Sequence, residues 1–279
     1  MIDCYFTETP NVCLYKKNWF NQIIKGIRNN NDFRIVSNIS DAKFIFLIAD
    51  NYRKIYNDNK LLITEKNIKF VIISCQDTSI EDKDYPEHVI LILDHCKNIY
   101  RKDARIVSLL NSNYRMNFNN NVLPLKDRKY DLVFFGKVCM GGDYENHRKR
   151  IVQCITNLST KYTVITGEFI KFDKYLYYLQ NSKILISPYG YAEWSLKDYE
   201  AVCNGTHVVK PNIYYESYPN FYKNFDHFDD NIDNFDDLIN NLLSNIDKIQ
   251  EKVDLNRKLY LSYNLNNQII ELKNYLIKY

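Results

Sequence analysis

A short segment, residues 187–201, brings together the side chains best suited to bind a ligand. It opens on a serine–proline turn and carries the carboxylates Glu193 and Glu200 with the aromatic side chains of Tyr189 and Tyr191. In open α/β sheets, ligands bind outside the carboxyl ends of the strands and against helix N-termini. Acids, backbone amides and aromatic rings at such a place are the groups needed to hold a sugar nucleotide.

The residues around this segment predict a strand, a turn and a helix that would place it correctly. Lys183–Ser187 is a short apolar run that ends at Pro188, which indicates a strand followed by a turn. Ser195 is suited to cap the next helix, with Asp198 three residues later, and Gly205 is suited to end it in the left-handed conformation. A well-capped surface helix of any doubly wound fold would give the same signals, so the pattern alone leaves both interpretations open.

Helical spacing divides the side chains of this helix between two faces. Leu196, Tyr199 and Cys203 share one face, and Lys197 and Glu200 share another, because neighbours on a helix are three or four residues apart. We therefore expect Glu200 to point at the ligand while the other face packs on the sheet.

The segment resembles the donor-binding signature of exostosin-like glycosyltransferases and related group 1 transferases of the GT-B fold. The shared pattern runs from serine–proline and aromatic–glycine through a glutamate, a basic–acidic–aromatic–glutamate–alanine helix start and a glycine to a valine–lysine–proline strand. The close similarity covers about residues 187–222, including the aromatic–proline–asparagine turn at 218–220. Weaker similarity extends back to Lys129, and the N-terminal half is similar in layout only.

The resemblance implies a role for each of several residues. Glu200 would take the ribose hydroxyls of the nucleotide, and Lys197 would lie near the phosphates. Pro188 belongs to the signature turn, and Tyr191 and Glu193 would lie in the loop over the sugar and the diphosphate. Many retaining enzymes of this fold have two glutamates with seven residues between them, whereas Glu193 and Glu200 have six between them, which favours an inverting mechanism.

A second glycine-rich turn gives another candidate part of the donor site. The predicted strand Tyr130–Phe135 ends at Gly136, and the loop with Gly141 and Gly142 leads to Asp143, a suitable N-cap for a helix from Tyr144 to about Leu158. Arg148 lies in the first turns of that helix, where it could reach phosphates. The segment from Phe134 to Arg148 resembles the phenylalanine–glycine turn and downstream arginine of the same family. A flexible turn with a solvated basic face is the alternative.

Inverting sugar transfer needs a general base for the acceptor hydroxyl and stabilisation of the leaving diphosphate. Three acids follow predicted strands of the N-terminal half, namely Asp50, Asp77 and Asp94. We favour Asp77, because residues 74–78 concentrate several polar groups in one loop after a strand. Helix dipoles and basic side chains can neutralise the phosphates, so neither a metal nor a resident cofactor is expected.

Length and composition are those of an ordinary two-domain globular protein. The 279 residues include 46% hydrophobic and 25% charged residues, and the net charge of +3 is too small to indicate nucleic-acid binding. The seven cysteines are scattered without metal-ligand or disulfide spacing. Neither a leader peptide nor a membrane span is expected, so a cytoplasmic enzyme of a bacterium or of a large DNA virus, then in the host cytoplasm, fits best.

Alternating short apolar strands and helical stretches predict an α/β protein with two Rossmann-like domains facing each other across a cleft. Residues 1–122 would form the acceptor-side domain and residues 123–279 the nucleotide-sugar domain, with the polar stretch Asn117–Asp127 as linker. By analogy with the family, the last helix is expected to pack on the N-terminal domain.

These features favour transfer of a sugar, from a nucleoside diphosphate donor that we expect to be uridine-linked, to a glycan or glycoprotein acceptor. The rival interpretation is a catalytically silent α/β module that binds a nucleotide or a glycan. The sequence indicates no oligomeric state.

Overall fold

The computed structural model describes residues 1–7, 14–74, 86–94, 96–98, 106–108, 118–139, 141–189, 195–217, 220–263 and 265–279. The chain forms two compact units. The first unit comprises Met1–Ser112, Glu216–Pro219 and Ser262–Tyr279, and the second comprises Asn113–Tyr215 and Asn220–Leu261. The chain passes from the first unit to the second at 112/113, earlier than the predicted boundary at 122/123.

Short strands alternate with helices along the chain, as the apolar runs predict. The strands are β1 (Ile2–Phe6), β2 (Phe33–Ile35), β3 (Phe44–Ile48), β4 (Lys69–Ile73), β5 (Val89–Asp94), β6 (Cys96–Asn98), β7 (Ile106–Ser108), β8 (Tyr130–Phe135), β9 (Val164–Gly167), β10 (Ser182–Ile186), β11 (His207–Pro211), β12 (Tyr215–Ser217) and β13 (Asp226–Phe228). The helices are α1 (Leu14–Arg28), α2 (Tyr52–Glu65), α3 (Gly142–Leu158), α4 (Phe172–Gln180), α5 (Leu196–Asn204), α6 (Phe235–Ser244), α7 (Ile246–Ser262) and α8 (Leu265–Leu276).

The first unit contains a parallel sheet with the strand order β2-β1-β3-β4-β5-β7. Every residue of β3 is buried, because helices cover both faces of this sheet. Helices α1 and α8 supply Phe20, Ile27 and Leu272 to the core on one face. Helix α2 covers the other face with Tyr52 and Ile63. The strands β6 and β12 form a separate two-stranded sheet.

The second unit contains a parallel sheet with the order β13-β11-β10-β8-β9. Helices α3, α6 and α7 pack on one face of this sheet, with Ile151, Ile239 and Val253 in the core. The chain goes from β8 outward to β9 and then returns to the far side of β8 to form β10, so the winding direction reverses between β8 and β10. Such a reversal is the topological switch point where open α/β sheets bind ligands.

Two predictions about individual residues in the second unit were wrong. Helix α3 begins at Gly142, so Asp143 lies inside the helix, and Gly141 occupies the N-cap position with φ +81° and makes no side-chain cap bond. The predicted linker also contains part of the core, because Leu125 is fully buried and its backbone N–H donates to Gln250 Oε1 at 2.8 Å.

None of the helices in the described part of the chain is long and apolar enough to cross a bilayer.

Candidate functional site

Helix α5 starts with the capping arrangement that the sequence predicts. Ser195 Oγ accepts a hydrogen bond from the Lys197 backbone N–H at 3.3 Å, and Asp198 Oδ2 accepts one from the Ser195 N–H at 3.0 Å. Gly205 ends the helix at φ +67°, a conformation that costs other residues more. The cap fixes the N-terminus of α5 beside the carboxyl end of β10, where the positive end of the helix dipole favours an anion.

Asp198 also belongs to a buried charge pair. The Lys210 Nζ on β11 donates to Asp198 Oδ2 at 2.9 Å, and the Ser187 hydroxyl donates to Asp198 Oδ1 at 2.6 Å. Lys210 and Asp198 are 0% and 2% exposed, respectively. One carboxylate therefore ties the start of α5 to the ends of β10 and β11. We did not predict this pair, although a lysine inside the apolar strand His207–Pro211 already required a buried partner.

Two cationic side chains converge on Gly136, which directly follows β8. A Cβ atom added at Gly136 would lie 2.7 Å from Lys197 Nζ and 3.2 Å from Arg148 Nη1. Lys197 Nζ donates to the carbonyl oxygen of Phe135. A side chain at position 136 would displace these groups. Because glycine has no side chain, an ammonium and a guanidinium group can approach the same stretch of backbone.

Arg148 braces two loops at the switch point. Its Nε donates to the Tyr189 carbonyl oxygen at 2.7 Å, and its Nη1 donates to the Lys137 carbonyl oxygen at 2.6 Å. The loop after β10 and the loop after β8 are therefore held by one buried guanidinium group. Its contact with a phosphate, which we predicted from the sequence, stays a prediction.

Burial and a nearby positive charge change the acidity of Lys197. Burial, aided by the positive charge of Arg148, lowers the pKa of the Lys197 ammonium group to about 8, and the carboxylates of Glu200 and Asp198 oppose this shift. An ammonium group with a lowered pKa beside a guanidinium group is a site that a bound anion would stabilise.

Glu200 lies three residues after Lys197 on α5 and is 8% exposed. Its Oε2 accepts a hydrogen bond from the Tyr175 hydroxyl of α4 at 2.8 Å. The expectation of one ligand face and one packed face needs correction, because α5 is buried from Asp198 to Asn204. Helix α4 covers the side of Glu200 and Asn204, and the Gln180 side chain donates to Asn204 Oδ1 at 2.9 Å.

The structure describes some of the other predicted site residues and not the rest. Pro188 is buried two positions after the end of β10. Asp50 lies in a short 3₁₀ turn after β3, and Asp94 is the last residue of β5. Asp77, Tyr191 and Glu193 lie outside the described residues. The structure therefore brings Gly136, Arg148, Lys197 and Glu200 together near the carboxyl ends of β8 and β10 in the second sheet.

His147, to which we assigned no role from the sequence, packs beside Arg148. Its ring stacks on Tyr189 with centroids 4.9 Å apart, and its Nε2 is buried with no hydrogen-bond partner within the described part of the chain. Burial, together with the positive charges of Arg148 and Arg150, lowers the pKa of His147 to about 4. The ring is therefore neutral near pH 7.

Because of this histidine, acidification should lower the free energy of unfolding of the second unit. An unfolded histidine has a pKa of about 6.5, so the unfolded chain binds more protons than the folded chain between about pH 4 and 6.5. The free energy of unfolding should fall as pH drops through this window, by about 1–2 kcal/mol, less than the full shift implies because the ring is only partly buried. Urea denaturation of the parent and of a His147→Gln variant at several pH values measures this contribution. Identical pH dependence in the two proteins would contradict it.

Within the described ranges, the side chains of His, Cys, Asp and Glu form no group of three or more that could hold a metal ion.

No protein-family model matches the chain, and no curated protein is similar to it in sequence. Solved structures are similar in fold. The apo form of the lipopolysaccharide outer core galactosyltransferase WaaB has a TM-score of 0.54 at 12% identity, covering 97% of this chain and 99% of WaaB. TarM has a TM-score of 0.51 at 13% identity, covering 92% of this chain and 58% of TarM.

A mutant of S. aureus TarM, solved with fondaparinux, α-GlcNAc-glycerol and UDP, has a TM-score of 0.50 at 12% identity and covers the same shares of the two chains, 92% and 58%. Identities this low indicate a shared fold only. That fold is the two-domain α/β architecture of GT-B glycosyltransferases.

Proposed function

We propose that this protein is a glycosyltransferase that moves a sugar from a uridine diphosphate sugar to a hydroxyl group of a glycan or glycoprotein. The observation that carries the proposal is the convergence of Lys197 and Arg148 on Gly136 at the switch point of the second sheet, with Glu200 one helical turn from Lys197. Positive charge and a carboxylate at this spacing suit a diphosphate followed by a ribose.

The order of groups along α5 suggests how the donor lies. The diphosphate would rest against the N-terminus of α5 and the ammonium group of Lys197, and the ribose hydroxyls would meet the carboxylate of Glu200. Arg148 would add positive charge and hold the surrounding loops in place. Pro188, Tyr191 and Glu193 would belong to the loop over the sugar and the diphosphate.

The reaction follows from these roles. The oxygen of the acceptor hydroxyl attacks the anomeric carbon, the bond from that carbon to the β-phosphate oxygen breaks, and UDP leaves with the bonding electron pair. A general base takes the hydroxyl proton. Lys197, Arg148 and the helix dipole stabilise the negative charge that develops on the diphosphate, so the chemistry requires no metal ion. Attack on the face opposite the leaving group inverts the anomeric carbon.

The strand order of the first sheet supports Asp50 as the base ahead of Asp77 and Asp94. The winding direction of this sheet reverses between β1 and β3, and Asp50 follows β3, whereas Asp77 follows β4.

The alternative is a catalytically silent module that binds a nucleotide or a glycan. Lys197, Arg148 and Glu200, the residues that support donor binding, would serve such a module equally well. The two functions differ in turnover.

Release of UDP from a panel of uridine diphosphate sugars, with and without simple sugar acceptors, tests the proposal. We expect acceptor-dependent UDP release for one donor, and we expect Glu200→Ala to weaken UDP binding by about tenfold or more, as for loss of a hydrogen bond to a charged group. The matched control is Glu251→Ala, an exposed glutamate of α7. UDP binding without release from any donor would support the silent module. Equal affinity of Glu200→Ala and the parent would contradict the assigned ribose contact.

A further inference from the structure

The hydrogen bond between Tyr175 and Glu200 joins two helices at the proposed ribose site. The Tyr175 hydroxyl donates to Glu200 Oε2 at 2.8 Å, and the two residues are 7% and 8% exposed. A buried carboxylate that accepts a fixed hydrogen bond loses the freedom to rotate about its last side-chain torsion. The bond therefore sets the plane in which the two carboxylate oxygens lie.

The ring of Tyr175 is itself held by aromatic neighbours. Its centroid lies 5.9 Å from that of Phe135 in an edge-to-face contact and 6.1 Å from that of Phe172 in a tilted contact. Phe135 is the last residue of β8, and its carbonyl oxygen accepts a hydrogen bond from Lys197 Nζ. Phe135 thus contacts Lys197 with its backbone and the ring of Tyr175, the partner of Glu200, with its side chain.

The chemistry of the pair gives Tyr175 a single role. Burial, together with the nearby negative charge of Glu200, raises the pKa of Tyr175 well above its ordinary value, so the phenol keeps its proton. It therefore donates to the carboxylate and does not compete for it as a second anion. A carboxylate has about four lone-pair sites on its two oxygens, so acceptance from Tyr175 leaves capacity for further donors.

We propose that Tyr175 is a positioning residue that orients the Glu200 carboxylate toward the two hydroxyls of the donor ribose, and so sets the preference of the site for ribonucleotides over 2′-deoxyribonucleotides. This inference rests on the proposed function, because it requires a ribose at Glu200. A site built to bond a hydroxyl rejects the analogue that lacks it, provided that the acceptor is held in place.

Calorimetric titration with UDP and with 2′-deoxy-UDP tests the inference. The parent should bind UDP at least about tenfold more tightly than 2′-deoxy-UDP, and Tyr175→Phe should reduce this ratio to about threefold or less, mainly through weaker UDP binding. Tyr177→Phe, at a half-exposed position of the same helix, is the matched control and should keep the parent ratio. An unchanged ratio in Tyr175→Phe would overturn the role of Tyr175.

Equal affinity of the parent for the two nucleotides would overturn the ribose contact at Glu200 and this inference with it. A parent that discriminates but releases no UDP from any donor would instead overturn the transferase reaction and leave the positioning role supported. If Tyr175→Phe does not fold, Phe172→Ala provides a second test, because it keeps the hydroxyl and removes a ring that packs on it. This variant should lower the ratio by roughly twofold, and an unchanged ratio would count against the inference.

Discussion

Replacing Lys210 with methionine is expected to lower the free energy of unfolding by about 3–5 kcal/mol. The substitution removes a fully buried ammonium group and leaves the Asp198 carboxyl group, which is 2% exposed, without a countercharge. Two hydroxyl groups, those of Ser187 and Tyr222, would remain as donors to this carboxylate, at 2.6 and 3.4 Å in the parent. Hydroxyl groups do not neutralise the charge. Urea denaturation followed by circular dichroism measures the loss.

A control variant on the neighbouring strand distinguishes the effect of burial on stability from the effect of charge pairing alone. Lys183 on β10 pairs with Asp131 at 2.6 Å, but both side chains are partly exposed, so Lys183→Met should cost at most about 1 kcal/mol. Adding Asp198→Asn to Lys210→Met should restore part of the stability, since asparagine removes the buried charge and can still cap the helix. Equal losses in Lys210→Met and Lys183→Met would refute the argument.

The second large effect is expected on activity. Lys197→Met should lower kcat/KM for the donor about 10²–10³-fold, because Lys197 would stabilise the charge that develops on the leaving diphosphate. Steady-state UDP release measures the effect. Lys149→Met, which removes an exposed ammonium group close in sequence to Arg148, should leave kcat/KM within about twofold, because a surface charge of this kind contributes little. A loss of similar size in both variants would mean that net charge, and not the position of Lys197, controls the reaction.

The lowered pKa of Lys197 gives this prediction a pH dependence. Without a donor the pKa is about 8, and a bound diphosphate raises it by favouring the charged form. Donor affinity should therefore be constant well below pH 8 and should fall as pH rises through 8, where the free protein loses the proton. UDP titrations between pH 7 and 9.5 should show this decline in the parent, and Lys197→Met should lose it. A flat profile in the parent would rule out a charged Lys197 as a phosphate contact.

The sequence predicts the parts of this molecule that depend on neighbouring residues. The capping box of Ser195 and Asp198 and the left-handed Gly205 are set by side chains within a few positions of the backbone that they serve, and the structure confirms them. Strand β8 has the predicted bounds, because its residues are apolar apart from Asp131 and the run ends at Gly136.

Contacts between distant segments were missed for a physical reason. Tyr175 and Glu200 lie 25 positions apart, and the bond between them depends on how α4 and α5 pack on the sheet, which residue spacing does not encode. The pair of Asp198 and Lys210 likewise depends on how α5 packs against β11. The start of α3 was misplaced because Asp143 is a better N-cap residue than glycine by propensity, whereas the backbone turns at Gly141 with a φ that favours glycine.

Asp198 has two structural roles, and together they limit which substitutions the chain can accept. Because one carboxylate both caps α5 and pairs with the fully buried ammonium group of Lys210 on β11, positions 198 and 210 are not independent. In a library randomised at both codons and selected for soluble protein, survivors should combine two neutral residues or retain the oppositely charged couple, and clones with a single charge should be depleted.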